Sequence, residues 1–208
     1  MKNDVVFKAY VTNLGAYNEG RLTGEWIDFP IQDGSESLEE SVKKILTGIG
    51  IDGKQYEEYF ITDYDSDIDG LTECLGEYEN IFLLNYLANK ISDMDCSTEQ
   101  FEAMLELGES THSVIGLINL LYNTDCFYFM PEVENDYDLG YEYAVNSGMF
   151  TAELQSIGML ANYIDYESYG RDIRLTDGGI HTDNGYITLT NKIIDYYNDT
   201  EDIPDLYE

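Results

Sequence analysis

Two stretches near the start of the chain alternate apolar and polar positions. Residues 5–12 (VVFKAYVT) and 21–29 (RLTGEWIDF) are rich in aromatic and β-branched side chains and predict β-strands. Residues 15–20 between them read as a turn. The sequence Ser37-Leu38-Glu39-Glu40 carries a capping-box signal. Leu38, Val42, Ile45 and Leu46 then fall on one face of a short helix ending near Gly48. Residues 56–62 (YEEYFIT) predict a third strand, which completes a small α+β unit.

The period changes after residue 70. Ile81, Leu84, Leu87, Ala88 and Ile91 recur at helical spacing. Ser97-Thr98-Glu99-Gln100 offers a second capping box before Phe101, Met104, Leu105 and Leu107, and Val114, Ile115, Ile118 and Leu121 supply a third apolar face. A helical bundle is expected. Further on, residues 126–130 read as a strand, 135–146 as a helix capped by Gly148, and 152–160 as another helix. Residues 173–190 read as a hairpin-like strand set, with Gly178-Gly179 and Asn184-Gly185 as turn signals. The tail from Asn191 is acidic and rich in tyrosine, and reads as a fraying helix. The expected class is α+β, as an elongated chain of three small domains over residues 1–70, 71–124 and 125–208, with no enzyme-like superfold.

Charge changes this picture more than any motif. The 208 residues hold 42 Asp and Glu against 10 Lys and Arg, for a net charge of −32. From residue 55 to residue 170 the one Lys or Arg is Lys90. Such a surface repels nucleic acid and anionic membranes and attracts basic partners. The 43% hydrophobic and 13% aromatic content excludes a disordered acidic tail, so the chain folds. The MKNDVVFKAYVTN start lacks an apolar segment of the signal-peptide kind, and the longest apolar run, near residues 81–87, is too short to span a bilayer. A cytoplasmic location is expected.

Candidate chemistry is sparse. Cys74, Cys96 and Cys126 are odd in number and widely spaced, which supports neither a disulfide framework nor a zinc site. His112 and His181 have no zinc-ligand spacing, and no nucleophile, phosphate-loop or dinucleotide motif occurs. No cofactor and no catalytic residue is expected. Asp63, Asp65, Asp67 and Asp69 alternate before Gly70, like the opening of an EF-hand loop. With Asp65 in the first position, however, the twelfth is Gly76 rather than a bidentate Glu. The segment therefore reads as a solvated acidic loop. A calcium-responsive acidic binding protein stays open as an alternative, beside plain solubility and imitation of nucleic acid. For the last, duplex DNA carries one charge per ~1.7 Å of axis, so the ~64 net charges of a homodimer match DNA over a length of roughly 110 Å. Two compact globules, each ~43 Å across, fall short of that length. An extended dimer reaches it.

Two segments carry more than composition. One is Tyr10-Val11-Thr12-Asn13-Leu14-Gly15-Ala16-Tyr17-Asn18-Glu19-Gly20, running into Leu22-Thr23-Gly24-Glu25-Trp26-Ile27-Asp28-Phe29-Pro30. The other is Asn162-Tyr163-Ile164-Asp165-Tyr166-Glu167-Ser168-Tyr169-Gly170-Arg171-Asp172-Ile173, followed by Asn184-Gly185-Tyr186-Ile187. With Glu57-Glu58-Tyr59 and Asp63-Tyr64, over roughly residues 7–188, the chain resembles the ArdA family of antirestriction proteins. The resemblance implies a curved, elongated homodimer of three-domain subunits that imitates bent B-form DNA. It also implies occupation of the DNA-binding groove of type I restriction–modification enzymes, with no chemistry of its own. The family's dimer contact lies in the third domain, which here begins near Asp125 and includes Cys126, Phe127, Tyr128 and Phe129. The middle section is longer than the family pattern, and a tail from Thr188 extends beyond it.

Within that reading, exposed carboxylates stand in for phosphates. The candidates are Asp63, Asp65, Asp67, Asp69, Glu73, Glu77, Glu102, Glu106, Glu132, Glu134, Asp136, Asp138, Asp165 and Glu167, acting through many small Coulomb terms. Tyr10, Trp26 and Phe29 read as core residues of the first sheet, and Arg171 with Asp172 either as an ion pair pinning the last domain or as a contact to the partner. The depletion of Lys and Arg over 55–170 is expected to form a continuous anionic ridge.

Overall fold

A computed structural model describes residues 5–32, 36–146, 153, 156–204 and 206–207. These pack as two units, each assembled from segments distant in sequence. The first comprises Met1–Asp95, Ser110–Tyr122 and Ile194–Glu208, and the second Cys96–Glu109 and Asn123–Ile193. The class is α+β, as expected.

In the first unit, strands β1 (Phe7–Asn13), β2 (Gly24–Phe29) and β3 (Tyr59–Ser66) form an antiparallel sheet in the order β2-β1-β3. Phe7, Ala9 and Val11 of β1 point inward with Ile27 and Phe29 of β2. The turn expected over 15–20 is instead largely a short helix, α1 (Leu14–Asn18). Asn13 makes this possible. Its buried side chain caps α1 by accepting from the Ala16 N–H, and its amide donates to Ile49 O. Helix α2 (Leu38–Gly48) starts at Ser37, whose hydroxyl accepts from the Glu40 N–H, and buries Leu38 and Val42.

Helices α3 (Ile81–Ser92) and α5 (Val114–Leu121) pack on each other in this unit, with α3 also meeting β2. Two buried asparagines fix the surrounding chain. Asn85 accepts from the Ile31 N–H at 2.7 Å. Asn119 brackets the Tyr197 backbone, donating to its carbonyl at 2.8 Å and accepting from its N–H at 3.0 Å. The tail is thus no fraying helix. It runs as irregular chain with one 3₁₀ turn (Thr200–Asp202), buries Ile203 and Leu206, and sets Tyr207 edge-on against Phe82 at 5.0 Å. Burying two aliphatic side chains contributes about 3 to 6 kcal/mol of gross transfer free energy. That offsets the cost of ordering a chain with so few regular hydrogen bonds.

In the second unit, β4 (Phe127–Met130), β5 (Ile180–Thr182) and β6 (Gly185–Leu189) form an antiparallel sheet in the order β4-β6-β5. Helix α4 (Thr98–Leu107), capped by Ser97, lays Phe101, Met104 and Leu105 against it. Helix α6 (Asp136–Tyr141) continues into a wider π-helical turn (Glu142–Asn146) and packs on α7 (Tyr166–Asp177). The strand set expected over 173–190 therefore begins later. Residues 173–177 are the end of α7, which stops at Gly178 with φ +72°. The α6–α7 approach is close enough to require glycine. A Cβ on Gly170 would sit 1.8 Å from Asp136 O, and one on Gly140 would sit 1.9 Å from Tyr166 O. The expected cap at Gly148 lies outside the described residues, as does much of the expected helix over 152–160. Among the described residues no helix is long and apolar enough to cross a membrane.

Candidate functional site

Where the carboxylates point is decided by strand phase. Opposite residues of neighbouring strands share a face of the sheet. In β3, Ile61 lies opposite Val11, whereas Asp63 lies opposite Tyr10 and Asp65 opposite Lys8. The register slips between these pairs, leaving Thr62 as an extra residue, which is the two-against-one count of a β-bulge. Without that slip, strict alternation would put Ile61, Asp63 and Asp65 on one face. With it, Ile61 turns into the core and both aspartates turn out to solvent. The acidic loop expected here is thus half strand. Asp63 and Asp65 belong to β3, and only Asp67 and Asp69 lie in the turn that follows.

The outer face of this sheet reads as two rows. One is Asp28, Lys8 and Asp65; the other is Trp26, Tyr10 and Asp63. Asp63 and Asp65 form no ion pair among the described residues, and stand about 6.8 Å apart along the strand. Lys8 leans instead to Asp28 at 3.9 Å. Trp26 is 46% exposed and packs edge-on to Tyr10 at 5.4 Å, so it is not the core residue the sequence suggests; Phe29 is. Beyond the turn, Glu73 and Glu77 are exposed, and with Asp63 they line an open cleft of about 270 Å³. Lys90 is placed with its ammonium 5.2 Å from the Tyr86 ring and 4.9 Å from the Tyr122 ring. The lone cation of the 55–170 stretch is therefore roofed by aromatic faces.

In the second unit the candidates separate by environment. Glu106, Glu132, Glu134 and Glu167 are exposed. Glu102, one turn from Glu106 on α4, accepts from the Asn184 amide at 2.8 Å. Asp138 closes the start of α6 by accepting from the Asn135 amide at 2.7 Å. Asp165 caps α7, and the backbone N–H and hydroxyl of Ser168 hold its carboxyl below the usual range.

Asp136 is different. Arg174 grips it with two bonds, Nε to Oδ1 at 2.7 Å and Nη2 to Oδ2 at 3.0 Å, and His181 Nε2 lies 2.9 Å from the same Oδ1. The Arg174 guanidinium, followed by His181, holds the Asp136 carboxyl down to about 2. This bidentate pair joins α6 to α7, and His181 ties in β5. The expected Arg171–Asp172 pair has no such role. Its atoms are 4.0 Å apart on neighbouring residues, 54% and 75% exposed. Of the residues proposed for a dimer contact, Cys126 and Phe127 are buried within the unit, Phe129 is partly buried, and Asp125 and Tyr128 are exposed on or beside the edge strand β4.

The EF-hand pattern has no counterpart in the fold, because strand β3 leads into it in place of a helix and a 3₁₀ turn (Thr72–Cys74) lies within its twelve-residue span. No group of three or more His, Cys, Asp or Glu side chains among the described residues is arranged to hold a metal ion. Sequence reasoning missed Asp28, which shares the outer row with Asp65, and the acidic rim formed by Glu57, Glu58 and Glu79. The signal for Asp28 was its alternation with buried Ile27 and Phe29; the rim had no comparable signal.

Among curated proteins no match to the chain is found. The sequence model of the ArdA family, described as antirestriction protein (ArdA), matches residues 9–188.

Proposed function

The chain belongs to the ArdA family of antirestriction proteins, inhibitors directed against type I restriction systems, and from that membership we propose that it works as a mimic of double-stranded DNA. Its exposed carboxylates take the place of phosphates in the DNA-binding groove of a type I restriction–modification enzyme. Binding there blocks restriction, and blocks modification wherever both activities use the same groove. In this reading the protein acts in the cytoplasm as an elongated homodimer of three-domain subunits, with its contact around Asp125, Tyr128 and Phe129. It performs no catalysis and binds no nucleic acid itself.

One observation carries the reading. Across residues 55–170, exposed acidic side chains recur on both units while the one Lys or Arg, Lys90, is half-buried against two tyrosine rings. On the first unit the candidates are Asp63, Asp65, Asp67, Asp69, Glu73 and Glu77. On the second, Glu106, Glu132, Glu134, Asp165 and Glu167 are exposed, while Glu102 and Asp138 are half-buried and engaged by Asn184 and Asn135. Asp136 is left out, because its charge is committed to Arg174 and His181. A basic groove meeting such a surface gains speed and selectivity from long-range attraction, and both weaken with salt.

The test is competition. A type I enzyme bound to this protein is challenged with excess duplex DNA, and the salt dependence of the complex is measured. Displacement by DNA and a steep loss of affinity between low and physiological salt are expected. Binding that excess duplex leaves unchanged would sink the mimic reading. Calcium titration followed by thermal unfolding supplies the control, since a native-state ligand raises stability saturably; no such rise is expected.

A further inference from the structure

Beside the cleft at Asp63, the first unit carries a groove of about 520 Å³ whose walls include Glu57, Glu58, Tyr59, Tyr78, Glu79 and Asn80. Its chemistry differs from that of a bare acidic patch. Tyr78 is 73% exposed and lies against Phe60, with the rings inclined 28° and their centroids 6.3 Å apart, and Tyr17 meets the same Phe60 edge-on at 5.1 Å. An aromatic ladder anchored in the sheet thus presents an open ring face beside three carboxylates. The groove is held in shape from behind. The Tyr59 hydroxyl accepts from the Ile81 N–H at 3.2 Å, Asn80 caps α3, and Glu79 accepts from the Gly76 N–H.

We propose that this groove receives an arginine side chain of a basic partner, its guanidinium stacked on Tyr78 and paired with Glu57, Glu58 or Glu79. The inference rests on the reading above that this unit meets a basic protein surface, and adds one anchoring contact to it. Charge selects a cation, because three carboxylates exclude an anionic or purely apolar guest. Geometry selects among cations. A divalent metal needs oxygens converging at about 2.0 to 2.6 Å, and no such cluster exists among the described residues. An ammonium is a strongly hydrated point charge, whereas a planar guanidinium stacks on a ring and presents paired donors to a carboxylate. The chain holds one guanidinium beside a carboxylate and a tyrosine, at the hydroxyl edge of the ring. Arg21 donates to Glu19 at 2.6 Å and to the Tyr56 hydroxyl, with its guanidinium carbon 5.9 Å from the Tyr56 ring centre.

The test uses the whole protein and two blocked peptides of equal charge, tetra-arginine and tetralysine. Long-range attraction treats them alike, and carboxylates elsewhere on the surface favour arginine equally in every variant, so the change in the affinity ratio on replacing Tyr78 isolates the groove. The wild type is expected to favour tetra-arginine, and Tyr78→Ala to lower that preference by about two- to five-fold, the scale of a cation–π contact at an exposed site. Tyr78→Phe and the distant control Tyr128→Ala should leave the ratio unchanged. Equal affinities in the wild type, or a ratio that Tyr78→Ala leaves unchanged, overturn the proposal. Because Tyr78 projects into solvent, its replacement leaves the core intact, and Tyr78→Phe controls for any residual loss of fold. The change in peptide ratio reports on the groove and DNA competition reports on the mimic reading, so either can fail while the other stands.

Discussion

Asp65 and Asp136 are the same residue type in the same acidic chain, and their surroundings give them opposite work. Asp65 stands on the outer face of an edge strand, opposite a lysine that leans toward Asp28. Asp136 sits about 20% exposed between a bidentate arginine and a histidine. The first carboxylate is free to meet a partner. The second is spent on holding two helices and a strand together. Net charge therefore overstates the interaction surface, and the useful distinction is between carboxylates that the fold consumes and those it leaves outward.

The largest predicted effects fall on the consumed side. Gly170→Ala drives a methyl group into Asp136 O, where the gap is 1.8 Å. Overpacking of that kind costs about 3 kcal/mol, as α6 and α7 must separate. Urea unfolding should show it directly, and hydrogen exchange should place it in α6 and α7 with the first unit's sheet unmoved. Asp136→Asn comes next at about 2 kcal/mol, because Arg174 and His181 lose a charge that is only partly open to water. Equal destabilisation from Asp65→Asn would remove the distinction between the two aspartates.

Acid should expose the same contrast without mutation. The folded carboxyl of Asp136 titrates at about 2, below its ordinary value of about 3.9 when unfolded. A depressed carboxyl stabilises the fold above the unfolded value, and that stabilisation disappears as pH falls toward the folded one. The second unit should lose about 2 kcal/mol between roughly pH 4 and pH 2. Asp136→Asn should flatten that part of the profile, while Asp65→Asn should leave it unchanged.

What the sequence revealed was local. The Ser37 and Ser97 caps, the strands β1 and β2 and the three central helices each declare themselves within a few residues. What it concealed depended on partners far along the chain. The bulge at Thr62 reverses the phase of β3, so a run that reads as an acidic loop becomes a strand with a buried and a charged face. Helix α7 buries little beyond Tyr166 and Gly170, leaving a narrow apolar stripe and a weak periodic signal. Asp136 could not be separated from its neighbours because its partner Arg174 is 38 residues away. Trp26 looked like core because tryptophan usually is, yet it lies opposite Tyr10 on the outer face. The tail reads as a helix because nothing local marks the docking through Asn119, Ile203 and Leu206 that holds it as irregular chain.

The smallest predicted effect bears most directly on function. Asp63→Asn with Asp65→Asn removes two outward charges that form no ion pair among the described residues, so stability should change by no more than about 0.5 kcal/mol. Affinity for a type I enzyme should fall by a modest step. Exposed charge pairs contribute about 0.2 to 1 kcal/mol each, which for two gives roughly a two- to thirty-fold loss at low salt. The loss should shrink as salt rises, because screening removes the same attraction in the wild type. Binding and thermal unfolding measured side by side on this double variant and on Asp136→Asn should therefore give opposite orders. One variant loses affinity at constant stability; the other loses stability first. If two outward aspartates abolished binding outright, the surface would act through one specific contact there, and the picture of many small, interchangeable charges would have to be given up.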